Sequence, residues 1–323
     1  MRLGVFTVLF QALGFEAMLD KVASLGLEAV ELGTGNYPGN AHCSPDDLLG
    51  DAKKRAALLD AIESRGLTIS AFSCHGNPLH PDENVAQSAH EVWRNTARLA
   101  VELDVPVVNL FSGCPGDGPG ARAPNWVTCA WPPDYPAVLE WQWNDCAIPY
   151  WTEEVRFARE LGLAKIGFEL HPGFLVYNPE TLLRMRTAVG PEIGANLDPS
   201  HLVWQGIDPL EAVRELGAEG AIFHAHAKDT FLDRGNIRRN GILDTKDYSR
   251  FAERSWSFRS VGYGHGESFW RDFVSALRTA GYDYVLSIEH EDGLASVDEG
   301  LEKALDLLKR VVLSEPPSAM WWA

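Results

Sequence analysis

The groups in this chain that could do chemistry are acids and histidines that close apolar runs. Glu169 ends one such run in Phe168-Glu169-Leu170-His171. Asp198 ends another and leads into Pro199-Ser200-His201. His224 and His226 stand two apart in Phe223-His224-Ala225-His226-Ala227-Lys228-Asp229, and Glu289 closes Ser287-Ile288-Glu289. Carboxylates gathered at one place repel one another and lose hydration unless a cation neutralises them. Glu169, Asp198, His226 and Glu289 form a mainly hard oxygen set with one imidazole. That set suits Mn²⁺ first, and also Mg²⁺ or Co²⁺, with Zn²⁺ or Fe²⁺ compatible. His226 is preferred over His224 by its register with the other run ends. Alternate residues of a strand share a face, so spacing alone leaves both histidines open.

Other groups fall near the same ends. His201 stands three residues beyond Asp198, placed to orient a substrate hydroxyl, move a proton or add a ligand. His75, in Ser73-Cys74-His75-Gly76-Asn77, is a substrate-binding candidate. Lys228 and Arg259 are candidates for binding a developing oxyanion, with rim salt bridges as the plainer alternative. Gly262-Tyr263-Gly264-His265-Gly266 has the glycine content of a phosphate cradle but the spacing of neither a P-loop nor a dinucleotide fingerprint.

These residues need a scaffold, and the hydropathy pattern supplies one. Strand-like runs at 3–9, 29–33, 68–74, 105–112, 165–171, 193–198, 221–227 and 284–290 alternate with amphipathic helical runs at 15–26, 52–66, 84–104, 150–162, 179–189, 208–217, 268–281 and 296–313. Gly66, Gly162, Gly190 and Gly281 fall just before strands, as helix C-caps do, and Asn178-Pro179 reads as a helix start. Eight strand-then-helix units predict an α/β fold, a (β/α)₈ TIM barrel, here a single domain over residues 1–323. In such a barrel the C-terminal strand ends ring one mouth, so four successive strands would aim Glu169, Asp198, His226 and Glu289 at one point. Two insertions, 114–149 after the fourth strand and 230–267 after the seventh, would overhang that mouth. Trp126, Trp131, Trp141 and Trp143 make the first a candidate substrate cover, with packing onto the barrel as the alternative.

Composition narrows the partners. Lys and Arg total 28 against 45 Asp and Glu, a net charge of −17, and no basic cluster stands out, which argues against nucleic acid. No apolar stretch approaches the ~18 residues of a membrane span. Met1 to Phe15 reads as a first strand rather than a signal peptide. Five cysteines without a CxxC pair suggest reduced thiols and a cytoplasmic protein. Trp321 and Trp322 are expected to dock on the barrel or on another subunit, which makes a homo-oligomer a candidate.

Glu169, Asp198-Pro199-Ser200-His201, His226 within His-x-His-x-Lys-Asp, and Glu289 together resemble the xylose isomerase-like TIM-barrel superfamily. That group holds sugar and sugar-phosphate isomerases, epimerases, inosose dehydratases and endonuclease IV-like enzymes. The resemblance implies a divalent metal on the four-residue set and a small sugar as substrate. In the ketose 3-epimerases of this group the two glutamates bind the metal and also exchange the substrate proton; here they would be Glu169 and Glu289, with His201 on a substrate oxygen. The metal would hold two adjacent substrate oxygens and stabilise an enediolate. Those epimerases carry another glutamate six residues after the first, where this chain has Leu175. The same enediolate chemistry also serves a lyase or dehydratase that expels a group from a keto-sugar or keto-glycoside. The expected activity is therefore a metal-dependent isomerase or epimerase, with the lyase and a non-catalytic sugar-binding or accessory subunit as alternatives.

Overall fold

In the computed structural model, which describes residues 1–320 and 322, ten strands form. They are β1 (Arg2–Phe6), β2 (Ala29–Gly33), β3 (Thr68–Ser73), β4 (Val108–Leu110), β5 (Ile166–Glu169), β6 (Ile193–Leu197), β7 (Ile222–Ala227), β8 (Asp229–Leu232), β9 (Trp256–Arg259) and β10 (Val285–Ile288). Eight of them close into a parallel barrel in which β1 to β7 are successive neighbours and β10 pairs with β7 and β1. This is the (β/α)₈ barrel that the alternation predicts. All eight helical runs form within a few residues of their expected limits, and Pro179–Val189 matches exactly, started by an Asn178–Thr181 capping box.

Two layers of burial follow from the period-2 strand pattern. Outward residues such as Val30, Leu32, Phe168, Ala225 and Leu286 are fully buried against the surrounding helices. The helix Val297–Val311 shows why the helices dock there. Its Leu301, Leu305 and Leu308 recur at i, i+4, i+7 on one buried face. Each such leucine contributes roughly 2 kcal/mol by leaving water. The inward residues are largely polar. Glu31, Ser70, Asn109, Asn196, His224 and Ser287 are all 0% exposed, so each needs a partner inside the barrel.

The insertion after β7 forms an antiparallel ribbon that the hydropathy pattern does not announce. β8 starts two residues beyond β7 and pairs with β9, Asp229 opposite Arg259. Asp229 ties the ribbon to the Gly262–Gly266 loop. Its Oδ2 accepts from the backbone N–H groups of Gly262 at 3.0 Å, Gly264 at 3.1 Å and His265 at 2.9 Å, while Oδ1 accepts from Thr230 N–H at 2.8 Å. The loop's anion cradle is thus filled by the chain's own carboxylate rather than by a phosphate. Gly264 is required by close approach: a Cβ there would stand 2.3 Å from the Thr230 carbonyl oxygen. Asp229→Ala leaves these donors unpaired, at a cost of about 2–3 kcal/mol. Calorimetry is expected to record a fall of about 3–4 °C in the unfolding midpoint.

One expectation about tryptophans is corrected. The first insertion does not cover the barrel mouth with its indoles. Trp126 packs edge-on against Tyr177 and Trp143 lies buried beneath Arg184, both on a separate cleft that also contains Leu175, and Trp131 is 75% exposed. At the C-terminus, Trp321 lies outside the described residues, and Trp322 is 68% exposed. Among the described residues no helix is long and apolar enough to cross a membrane.

Candidate metal centre

Each candidate ligand is delivered by a strand end. Glu169 is the last residue of β5 and His226 the penultimate residue of β7. Asp198 follows β6 and caps the helix Pro199–Gln205, its Oδ1 accepting from Ser200 N–H at 2.8 Å, which leaves Oδ2 for the barrel mouth. Glu289 follows β10. One ligand atom from each of Glu169, Asp198, His226 and Glu289 lies within 4.8 Å of the other three. His226 Nδ1 is 3.1 Å from Glu289 Oε2, 3.7 Å from Asp198 Oδ2 and 3.9 Å from Glu169 Oε2.

The structure separates the two histidines. His224 lies deeper in the barrel, with Nδ1 3.0 Å from Asn196 Oδ1 and Nε2 3.2 Å from Ser70 Oγ. His226 faces the carboxylates with Nδ1. Its Nε2 is turned to Glu31, 3.1 and 3.0 Å from the two carboxylate oxygens.

Glu31 is a residue the sequence reading passed over. The signal was present, a single acid in the apolar run Ala29-Val30-Glu31-Leu32-Gly33. Ser73 Oγ, Asn109 Nδ2 and Ser287 Oγ donate to its carboxylate, so four strands converge on it. Burial alone would raise its pKa, but the adjacent His226 and His224 outweigh that and hold it ionised, well below the usual carboxylate range. Burial works against a charged His226, but Glu31 and Glu289 outweigh it and raise its pKa well above the usual imidazole value. With Glu31 accepting from Nε2–H, Nδ1 is the nitrogen that would ligate an ion displacing its proton, the carboxylate–histidine arrangement that orients metal ligands.

Asp198 Oδ2 and His226 Nδ1 both face this cluster, Oδ2 3.1 Å from the Lys228 ammonium and Nδ1 3.1 Å from Glu289 Oε2. A carboxylate oxygen and an imidazole nitrogen converging with two further carboxylates fit a divalent cation by position and by donor type.

The other predicted residues fall in two places. His75 Nε2 and His201 Nε2 each lie 2.9 Å from a Glu169 oxygen. Burial pushes the Glu169 pKa up, but these two imidazoles more than offset it and hold the carboxylate ionised. The Lys228 ammonium, 2% exposed, lies 3.1 Å from Asp198, 2.8 Å from Glu289 and 3.0 Å from Glu291. Burial works against its charge, yet these carboxylates keep it firmly protonated. Arg259 does not join them. Its Nε donates to both oxygens of Asp292 at 3.1 Å, and it lies outside the lining of the central cavity. It braces the rim, the plainer of its two expected roles.

That cavity measures about 200 Å³ and is walled by Phe6, Phe111, His75, Glu169, His171, His201, Lys228, Glu289 and Glu291 among others. His171 and Glu291 are two further wall residues the sequence reading had not singled out. His171 packs its ring 4.1 Å from that of His201, and burial followed by the His201 charge lowers its pKa to about 3, leaving it neutral.

A parallel eight-stranded barrel with an acid-and-histidine cluster at the C-terminal strand ends defines the xylose isomerase-like TIM barrels. The model of that family matches residues 19–311, and the chain belongs to it. The chain is 41% identical over 314 residues to protein YfiH of Bacillus subtilis (strain 168), covering 97% of this chain and 99% of that protein. Among solved structures, the D-psicose 3-epimerase of Clostridium cellulolyticum H10 superposes with a TM-score of 0.60 at 14% identity, over 96% of this chain and 98% of that one. The probable 3-DHS dehydratase AsbF from Bacillus anthracis superposes with a TM-score of 0.66 at 15% identity, over 96% and 99%. At these identities the two structures share the fold with this chain.

Proposed function

We propose that this protein is a divalent-metal-dependent isomerase or epimerase of a sugar or keto-sugar. The observation that carries the reading is the pair Glu169 and Glu289, which line one small cavity and converge with Asp198 and His226. Glu169, Asp198, His226 and Glu289 would hold the ion, Mn²⁺ first and Mg²⁺, Co²⁺ or Zn²⁺ next. A bound divalent ion supplies Lewis-acid polarisation of a carbonyl and compensates the three carboxylates.

The chain's own groups do the rest. One glutamate removes the proton from the carbon beside the carbonyl, and the other returns a proton to the opposite face. His201, His75 and Lys228 are positioned to bind the substrate's oxygen substituents, and Lys228 balances negative charge that develops there. Phe6 and Phe111 on the wall limit water around the reacting carbon.

A lyase on a keto-sugar is the second reading, favoured by one observation. Leu175 stands where the ketose 3-epimerases of this group carry a further glutamate. It is 2% exposed and faces the Trp126–Trp143 cleft, so no acid enters the reactive cavity from that position.

The test is proton NMR in D₂O on a panel of ketoses and 3-keto-glycosides, with Mn²⁺ or with chelator. The expected result is deuterium uptake beside the carbonyl that chelator abolishes and Mn²⁺ restores. Inverted product supports the epimerase and a released group supports the lyase. Absence of exchange across the panel overturns both.

A further inference from the structure

The ribbon insertion builds a second cavity of about 570 Å³, walled by His171, Tyr248, Ser249, Phe251, Ser257, Phe258, Glu291 and Gly293. His171 and Glu291 also wall the metal-site cavity, so the two spaces share a boundary. The inner one, at about 200 Å³, is below the ~300–1,000 Å³ of sites for larger organic ligands and suits a single small polar unit. The outer one is well inside that range.

The inner lining carries Glu169, Lys228, Glu289 and Glu291, whereas Glu291 is the one acid of the outer lining, three of whose walls are aromatic. Phe258 forms the junction, its ring edge-on to His201 at 5.2 Å and beneath the Lys228 ammonium at 4.7 Å. Tyr248 stacks on Phe258 with an interplanar angle of 17° and remains 56% exposed. Phe251 is seated over Gly293, where any Cβ would come within 2.1 Å of its ring.

The platform is built rigid. The guanidinium of Arg254, 2% exposed, lies 4.3 Å from the Tyr248 ring centroid and 4.6 Å from that of Trp256. Arg254 also donates to the carbonyls of Trp256 and Lys246, and Asp244 accepts from Ser255 N–H at 2.6 Å. An exposed aromatic face held in place by buried polar bonds is preorganised for a ring partner.

We infer that this cavity is a second-ring subsite and that the substrate is a glycoside, a sugar unit at the metal cluster carrying a ring group that packs against Tyr248 and Phe251. This rests on the proposed sugar chemistry for the inner cavity, and the experiment separates the two. The probes are phenyl 3-keto-β-glucoside and its methyl counterpart, titrated calorimetrically into the Mn²⁺-loaded protein, with deuterium exchange followed on the same samples. The phenyl compound is expected to bind about tenfold or more tightly than the methyl one. Tyr248→Ala removes the exposed face, and Ser249→Trp fills the cavity from an exposed position. Each is expected to erase most of the phenyl advantage while leaving methyl-compound binding within about twofold. Equal binding of the two compounds, or an advantage that survives both variants, overturns the subsite. Exchange without a phenyl advantage rejects the subsite and keeps the reaction. A phenyl advantage lost in both variants but without exchange keeps the subsite and rejects the reaction.

Discussion

Glu289→Gln is expected to cut proton exchange by about 10³-fold or more and to weaken divalent metal binding, while the protein stays folded. The substitution keeps the shape of the side chain but removes both a charged oxygen ligand and a proton acceptor. General acid–base groups contribute about 10²–10⁴-fold by themselves, so loss of a ligand in addition places the effect at the upper end. The fold is expected to survive for a local reason. Glu289 lies beyond the end of β10, and Lys228, its ion-pair partner, keeps Asp198 at 3.1 Å and Glu291 at 3.0 Å. Three readouts check this: the exchange rate, bound metal by emission spectrometry, and far-UV circular dichroism on heating. A variant with full activity and full metal content would remove Glu289 from the site.

Glu31→Gln is expected to lower metal affinity by about 10–100-fold although Glu31 is not itself a proposed ligand. The argument is one of tautomers. The ionised carboxylate accepts from Nε2–H of His226 at 3.0 Å, so Nδ1 is the nitrogen that would bind an ion in place of its proton. A glutamine amide in the same space offers N–H as well as C=O. When N–H faces Nε2, the imidazole proton moves to Nδ1 and blocks the ligand position. Stability should fall as well, by roughly 3 kcal/mol, because the change removes one partner of a fully buried charged network. Metal titration gives the affinity, and nitrogen-15 chemical shifts of His226 give the tautomer. Unchanged affinity with an unchanged tautomer would reduce Glu31 to a packing role. A stability loss alone would not produce the tautomer change.

The barrel was legible because its signal is local and repeated. Each strand-then-helix unit has its own hydropathy period and its own stop residues, and Gly162 closes its helix at φ +97° just before β5, as a C-cap glycine does. The candidate ligands were legible for a related reason: an ionisable group at the end of an apolar strand has few roles other than at the mouth. A different cue, a lone acid in the middle of the apolar run of β2, marks Glu31, one layer below the mouth.

The ribbon was not legible. It is held by Asp229 bonding to residues 33 to 36 positions away and by Asp292 accepting from Ser260 N–H at 2.8 Å and from Arg259. Such side-chain-to-backbone bonds leave no periodic trace in the hydropathy. The π-helical turn at Gln142–Ala147 was hidden likewise; buried Gln142 donates across to the carbonyls of Pro115, Gly116 and Asn125.

By itself, then, the amino-acid sequence determined the fold class, the end of the barrel where chemistry collects, and the residue types gathered there, since strand period and strand polarity dictate these. Tertiary structure alone set His226 beside the carboxylates and His224 deeper in the barrel, because alternation assigns a face but only the register of barrel closure assigns a layer. It alone paired Glu31 with His226 across 195 residues, turned Arg259 to Asp292, and raised an aromatic wall beside the reactive cavity. Those outcomes depend on which distant groups the closed barrel brings within hydrogen-bond reach, and that distance is a property of the whole chain.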